Sequence, residues 1–439
     1  MPSPTDESGP RPTVSGASGP LRGTFRVPGD KSISHRALIC AAMARGRSRI
    51  EGLSEGGDLR STAAALAAMG VRIGRGDEAW TVDGVGSGGL LQPEGALDMG
   101  NSGTSARLLM GLIASHPIAA ALTGDPSLSR RPMERVAAPL RRIGAEVETA
   151  GGGLPLKMRG LCPAVALDHR MHIPSAQVKS ALLFAALNIP GLTRIVEPVA
   201  TRDHGERMLK LFGADLSVAG EEIALRGEAE LRPQALTVPG DPSAAAFLAV
   251  AALVVPGSEL RIEGIGTNKS RTGLFELLSE MGGDIAFSNP RELGGEPVAD
   301  LVVRHSPLRG IEVPPAMAPR TIDEYPILFV AAAFARGITR TSGLGELRFK
   351  ESDRLAAMAE GLAAIGARAE EEEDGLILVG TGGDPLPGGA TIDPRLDHRI
   401  AMSFAVAGLH SRQPVTVADM TAADTSFPGF AALLQSLAR

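Results

Sequence analysis

The chain has 439 residues, of which 44% are apolar, a net charge of −6, two cysteines and 3% aromatic residues. That length can bury a large core, and two domains are its natural division. An acidic chain with one Trp and one Tyr lacks the basic field and stacking rings of a nucleic-acid binder, and apolar segments such as Ala244 to Pro256 stop well short of a membrane span.

Residues 1–20 are rich in Pro, Ser and Gly without an apolar run, so they read as a disordered tail and not as a signal peptide. Cys40 and Cys162 suit a reducing compartment, which makes a cytoplasmic location the expectation. From Val27 to Gly46 a Pro-Gly turn leads into Lys31, Ser32 and Arg36, and then into the apolar run Ala37 to Ala42 of a buried helix. Free backbone N–H groups and the positive end of the helix dipole would point the same way as two cationic side chains, which suits an anion. Asp30 separates the Gly from the Lys, so the stretch is not a P-loop.

The words VPGDKS at Val27 and VPGDPS at Val238 imply a repeat. The same turn, polar start and Ala-rich run recurs from Gly100, Pro174, Pro242, Asp323 and Asp397, giving six units of roughly 70 residues. A second helix follows each, beginning at Asp58, Pro132, Arg202, Arg271 and Ser352, with the last unit ending in FAALLQSLAR. Gly after Met69, Ile143, Phe212, Met281 and Ile365 fits a helix C-cap. Alternating stretches such as Leu376 to Val379 and Val415 to Val417 read as strands. Each unit is then two helices on three or four strands, and three units make a domain-sized core.

Two signals carry little. Gly84, Gly86 and Gly89 spell a dinucleotide-like pattern, but Pro93 stands where a helix should continue, so the segment is a turn. Asp168, His169 and His172 have no further ligand at a metal-site spacing. More telling is where polar residues gather at helix starts: Lys31, Ser32 and Arg36; Asn101, Ser102, Thr104 and Arg107; Arg130 and Arg131; Ser175, Gln177 and Lys179; and Arg202. In the second half come Asp323, Glu324, Lys350, Glu351, Arg354, His398 and Arg399. An excess of Arg and Lys with a few carboxylates, in an acidic chain, points to small, multiply charged anions.

The words GDKSISHRAL, GNSGTSARLL, LTGDPSLSRRPM, PSAQVKSAL, TRDHGE, IDEYP, FKESDRL and DHRIAMSF resemble those of the 5-enolpyruvylshikimate-3-phosphate (EPSP) synthase family over essentially everything after residue 20. The resemblance implies a two-domain inside-out α/β barrel of six βαβαββ repeats, three per domain. Its first domain would span 28–239 and its second 21–27 plus 240–439, with crossings near 28–30 and 239–241. It implies transfer of the enolpyruvyl group of phosphoenolpyruvate (PEP) to the 5-hydroxyl of shikimate-3-phosphate, through a tetrahedral adduct that loses phosphate. Lys31, Ser32, Arg36, Ser175, Gln177, Arg202, Asp323 and Lys350 would hold shikimate-3-phosphate. Lys31, Asn101, Gly103, Arg131, Gln177, Arg354 and Arg399 would hold PEP. Lys31, Asp323 and Glu351 would be catalytic, with no cofactor or metal, no nucleic-acid or membrane partner, and a monomeric chain.

SAQVK and TRDHGE resemble the glyphosate-tolerant subclass, whereas Gly103 stands where tolerant relatives often have Ala. Ser270 replaces a usual Thr, and Thr425 sits where other members carry a PEP-contacting Lys. The sister transferase acting on a UDP-amino sugar usually works with a cysteine in a mobile loop, and neither Cys40 nor Cys162 lies near Asp125 to Arg131. A non-catalytic relative would be expected to lose its carboxylates before its arginines, and Asp323 and Glu351 are both present. The bound phosphates and carboxylates would together bring about five to six negative charges. Two further expectations follow from charge: Arg131, Arg354 and Arg399 would crowd Lys31 and lower its pKa, and two cationic half-sites would stay apart until anions bridge them.

Overall fold

A computed structural model describes residues 9–437. Six helices are buried along almost their whole length: Lys31–Met43, Gly103–Ala114, Ala176–Ala186, Pro242–Val254, Tyr325–Phe334 and His398–Gly408. Ala-rich runs suit this position, since small side chains let neighbouring backbones approach from every side. Five of the six start at an oxygen-bearing cap that accepts from a backbone N–H of the first turn: Asp30, Ser102, Ser175, Asp241 and Asp397. Such a cap holds the first turn open toward whatever faces it. The outer helices close on Gly70, Gly144, Gly213, Gly282 and Gly366, all at φ between +86° and +103°, the left-handed turn that ends a helix without a Cβ clash.

The second unit shows the sheet pattern in chain order. Strand Leu97–Asp98 runs parallel to Ala119–Thr123, which pairs antiparallel with Gly153–Arg159, itself antiparallel to Glu146–Ala150. The third and fifth units repeat it. The first and fourth borrow their parallel edge strand from elsewhere: Ala235–Thr237 lies beside Arg49–Glu51, and Arg22–Phe25 beside Glu259–Ile262. One apolar core gathers residues from Ile33 to Val238; the other gathers Leu21, Val27 and residues from Ala244 to Leu437. The chain passes between them twice, side by side. Gly29 bridges Gly240, Asp30 N donates to Pro239 O at 2.8 Å, and Asp241 N donates to Pro28 O at 2.9 Å. A Cβ on Gly29 would stand 1.8 Å from the carbonyl oxygen of Gly52, so only glycine fits there.

One expectation is corrected. Residues 1–20 are not a disordered tail throughout: Thr13–Ser15 is a strand, antiparallel to Val415–Val417. Residues 1–8 of that stretch lie outside the described residues. The sixth unit has no hairpin of its own after Val415–Val417, and Thr13–Ser15 takes the place of the missing strand, with Thr391–Ile392 parallel on the other side. Ser15 is buried and donates to Ala405 O at 2.6 Å. The composition of the segment hid this, because three residues supply too little pattern to outweigh the surrounding Pro and Gly. Among the described residues no helix is long and apolar enough to cross a membrane.

Ser15→Ala is expected to cost about 1 kcal/mol, the usual net worth of a buried hydrogen bond, and deletion of residues 1–16 more, by exposing the edge of Val415–Val417. Urea midpoints measured at constant m-value check both.

Candidate functional site

The buried helices direct their N-terminal turns at a cavity of about 420 Å³ between the two cores. Lys31, Ser32, Gly103, Thr104, Arg131, Ser175, Gln177 and Arg202 reach it from one side, and Asp323, Lys350, Glu351, Arg354, His398 and Arg399 from the other. Among the described residues its wall carries nine Lys and Arg side chains against five Asp and Glu. Cations in such excess, held at helix N-termini, make a site for anions carrying several charges.

Six of the polar residues singled out from the sequence do not line the wall: Arg36, Asn101, Ser102, Arg130, Lys179 and Glu324. Arg36 is 2% exposed and donates to Ser180 Oγ and to the carbonyls of Ser32 and Ala176; burial brings its guanidinium down to about 10. It braces the first turn from behind. Asn101 accepts from Arg131 at 2.6 Å through Oδ1 and donates to Asp125 at 2.5 Å, so it aims Arg131. Lys179 is fully buried between Glu197 (2.8 Å) and Glu206 (2.7 Å), because its place in the helix turns it inward.

Lys31 was expected among like charges. Its closest ionic partner is instead a carboxylate, Asp58, at 2.9 Å. Asp58 lies in the first turn of the helix Gly57–Ala68, a polar helix start of the kind already noted, and the residue that sequence reasoning most plainly passed over. Arg107, Arg135 and Glu346 also line the cavity. Arg107 donates to Gln177 Oε1 at 2.7 Å while Gln177 Nε2 donates to Thr104 Oγ1 at 3.0 Å, and the two bonds fix the amide. Thr425 is absent from the wall, its hydroxyl donating to Ala422 O. His169 lies against Arg142 at 3.3 Å, remote from the cavity, and among the described residues no group of three or more His, Cys, Asp or Glu could hold a metal ion.

The two sides are tied by opposite charges, which corrects the expectation that like charge holds them apart. Arg202 donates to Asp323 at 2.6 Å, Arg131 reaches Glu351 at 3.5 Å, Ser127 donates to Glu351 O at 3.0 Å, and Arg135 meets Glu346 at 3.3 Å. The sequence showed cations in both halves; it did not show that the second half turns three carboxylates toward the first. Arg354, 1% exposed, donates to Glu351 at 2.5 Å and to Asp397 at 2.8 Å, and lies 3.5 Å from Asp323. Burial pushes the carboxyls of Asp323 and Glu351 up, but nearby charges outweigh it. Lys350, Arg202, Arg399 and Arg354 hold Asp323 well below the usual carboxylate range, and Arg354, Arg131 and Lys31 do the same for Glu351. Burial and the charges of Lys31 and Arg399 keep His398 neutral.

The family model for EPSP synthase (3-phosphoshikimate 1-carboxyvinyltransferase) matches residues 16–434. A 3-phosphoshikimate 1-carboxyvinyltransferase of Sphingopyxis alaskensis is 62% identical over 432 residues, 96% of this chain and 97% of its own. One from Novosphingobium aromaticivorans is 58% identical over 98% of this chain and 100% of its own. The solved EPSP synthase of Acinetobacter baumannii superimposes with a TM-score of 0.86 at 43% identity, over 97% of this chain and 98% of that one. The enolpyruvyl transferase NikO of Streptomyces tendae, 21% identical with a TM-score of 0.76, shares the fold. With its repeats, its cation-lined cavity and these likenesses in agreement, the chain belongs to the EPSP synthase family.

Proposed function

We propose that Lys31, Asp323 and Glu351 carry the proton transfers of the family's reaction, in which the enolpyruvyl group of PEP passes to shikimate-3-phosphate. The observation that carries this is the pair of carboxylates, Asp323 and Glu351, held by one buried guanidinium, Arg354, on the wall that Lys31 shares. In the addition, the 5-hydroxyl oxygen attacks the central carbon of PEP and gives its proton to Asp323, while Glu351 protonates the methylene carbon. In the elimination, Glu351 takes a proton back from that methyl group as the C–O bond to phosphate breaks, and Lys31 protonates the departing oxygen. Glu351 needs its proton for the first step, and Arg354 and Arg131 oppose that. PEP anions gripped by the same guanidinium groups would neutralise them, so substrate binding itself would raise the Glu351 pKa.

Ser32, Ser175, Gln177, Arg202 and Lys350 hold shikimate-3-phosphate in this reading, and Gly103, Arg131, Arg354 and Arg399 hold PEP, with Arg36 and Asn101 bracing them. The two halves would move as domains about the paired crossings, exchanging Arg202–Asp323 and Arg131–Glu351 contacts for substrate anions. A cytoplasmic monomer fits two free cysteines and two cores each completed within one chain. The direct assay is phosphate release from PEP with shikimate-3-phosphate as acceptor; activity with UDP-N-acetylglucosamine in its place would overturn the assignment of acceptor.

Asp323→Asn and Glu351→Gln are each expected to lower turnover roughly 10²-fold or more, the worth of general acid–base catalysis. Substrate affinity should persist or rise, since each change frees a cation. Steady-state kinetics with tritium wash-in at the PEP methylene separates the two roles: Glu351→Gln should abolish exchange at carbon.

Glyphosate would occupy the PEP subsite, and Gly103 would leave room for its greater length. A Cβ on Gly103 would lie 2.9 Å from Arg107 Nη1 and 3.3 Å from Arg131 Nη1, so a methyl group both narrows the site and nudges two guanidinium groups. Overpacking of this kind costs about 1–3 kcal/mol. Gly103→Ala is expected to raise the glyphosate inhibition constant about tenfold or more and the KM for PEP by less. Equal rises would show that Gly103 does not gate the length of the ligand.

A further inference from the structure

We infer that Arg271 is a positioning residue that sets Lys31 and Asp323 relative to one another, through the paired crossings of the chain. The inference rests on the roles given above to those two residues. Arg271 is 3% exposed, set deep in the wall of the cavity. Its Nη1 donates to Asp30 Oδ2 at 2.7 Å, and its Nη2 donates to Asp241 Oδ1 at 3.0 Å and to Ser243 Oγ at 2.7 Å. Asp30 and Asp241 are the aspartates of the two repeated Val-Pro-Gly-Asp words, one on each crossing. One fork therefore grips both crossing strands at once, a geometry that guanidinium supplies and ammonium does not.

Each aspartate is also a helix cap. Asp30 accepts from Ile33 N at 2.9 Å, and Asp241 accepts from Ser243 N at 2.8 Å and, across the crossing, from Lys31 N at 3.2 Å. The backbone of Lys31 is thus held by a carboxylate that Arg271 orients. On the other side, the Ser243 hydroxyl donates to Glu324 Oε1. Glu324 adjoins Asp323, and Arg399 Nη1 donates to Asp323 O at 2.7 Å while lying 3.7 Å from the Glu324 carboxylate. A continuous buried chain consequently runs from the start of the Lys31 helix to the turn that carries Asp323.

Burial alone would lower the Arg271 pKa, but the carboxylates of Asp30, Asp241, Glu324 and Asp323 together outweigh it, so the cation is permanent. Burial raises the Glu324 carboxyl, against the pull of Arg399 and Arg271. Removing the guanidinium would leave two buried carboxylates facing each other without a counter-charge, which is strongly destabilising. Replacement by Lys keeps the charge, but a single Nζ cannot meet three acceptors on two strands in the fork's plane.

The test compares Arg271→Lys with Ser243→Ala, which cuts the link to Glu324 and spares the ion pairs. In variants with native circular dichroism, kcat should fall roughly tenfold or more for Arg271→Lys, since small misplacement of reacting groups is costly, and by a smaller factor for Ser243→Ala. KM for both substrates should move by less than about threefold, and the double variant should lose little beyond Arg271→Lys, as expected for one shared chain. A lowered thermal midpoint with unchanged kcat in both variants, or a loss that lies in KM, would overturn the inference. If Arg271→Lys does not fold, Ser243→Ala decides by the same criteria. Asp323→Asn is the control: near-normal turnover there would mean the catalytic assignment has failed, whereas its loss beside full activity in the Arg271 and Ser243 variants would sink this inference alone.

Discussion

The cleft depends on an imbalance of charge that the protein cannot neutralise by itself. Nine cationic side chains meet five carboxylates on its wall, leaving an excess of about four charges against the five to six negative charges of the two substrates. Until anions arrive, the carboxylates to which we assign the proton transfers serve as counter-ions: Asp323 to Arg202 and Lys350, Glu351 to Arg131 and Arg354. Binding is therefore an exchange of partners. In this proposal the energy of each new substrate contact is offset by an ion pair given up, and the groups released are the ones to which the proton transfers are assigned. The same exchange makes the cleft selective, because a ligand with a single charge could replace only a fraction of these pairs.

The fold supplies the imbalance cheaply by repetition. Six buried helices bring apolar bodies together and leave their first turns, five of them capped, at one place, so backbone N–H groups add to the positive field without needing more side chains. Residues just behind the wall then stiffen it. Arg36 props the Lys31 turn, Asn101 steers Arg131, and Arg107 fixes Gln177. Arg107 itself is brought down to about 10 by burial and by Arg135 and Arg131, against the opposite pull of Glu351 and Glu346, a sign of how closely the cations are crowded.

What could be read from the chain follows the range of the interactions involved. Caps, apolar runs and closing glycines act within one turn, so the starts at Asp30, Ser102, Ser175 and Asp397 and the ends at Gly70 or Gly213 were visible as local words. The wall residues could be named because most sit within a few positions of such a start. Contacts between distant segments were not visible. Asp58 pairs with Lys31 from another helix, Glu346 meets Arg135 from the opposite half, and nothing in the word SAQVKS tells that Lys179 turns toward Glu197 and Glu206. Arg271 shows the limit most plainly: nothing local marks it, while its contacts lie with two aspartates on separate crossings.

The strand Thr13–Ser15 bears on how the protein is made. Its contact through Ser15 joins residues 390 positions apart, and Arg22–Phe25 likewise waits for Glu259–Ile262. At about 5–20 residues per second, a ribosome releases the first strand roughly 20–80 s before the last sheet exists to receive it. The intervening core, Ile33 to Val238, is complete long before then. The nascent chain thus carries a segment that is made early and finds its place last. A tag or fusion partner placed at the N-terminus rides on that waiting segment through the whole interval.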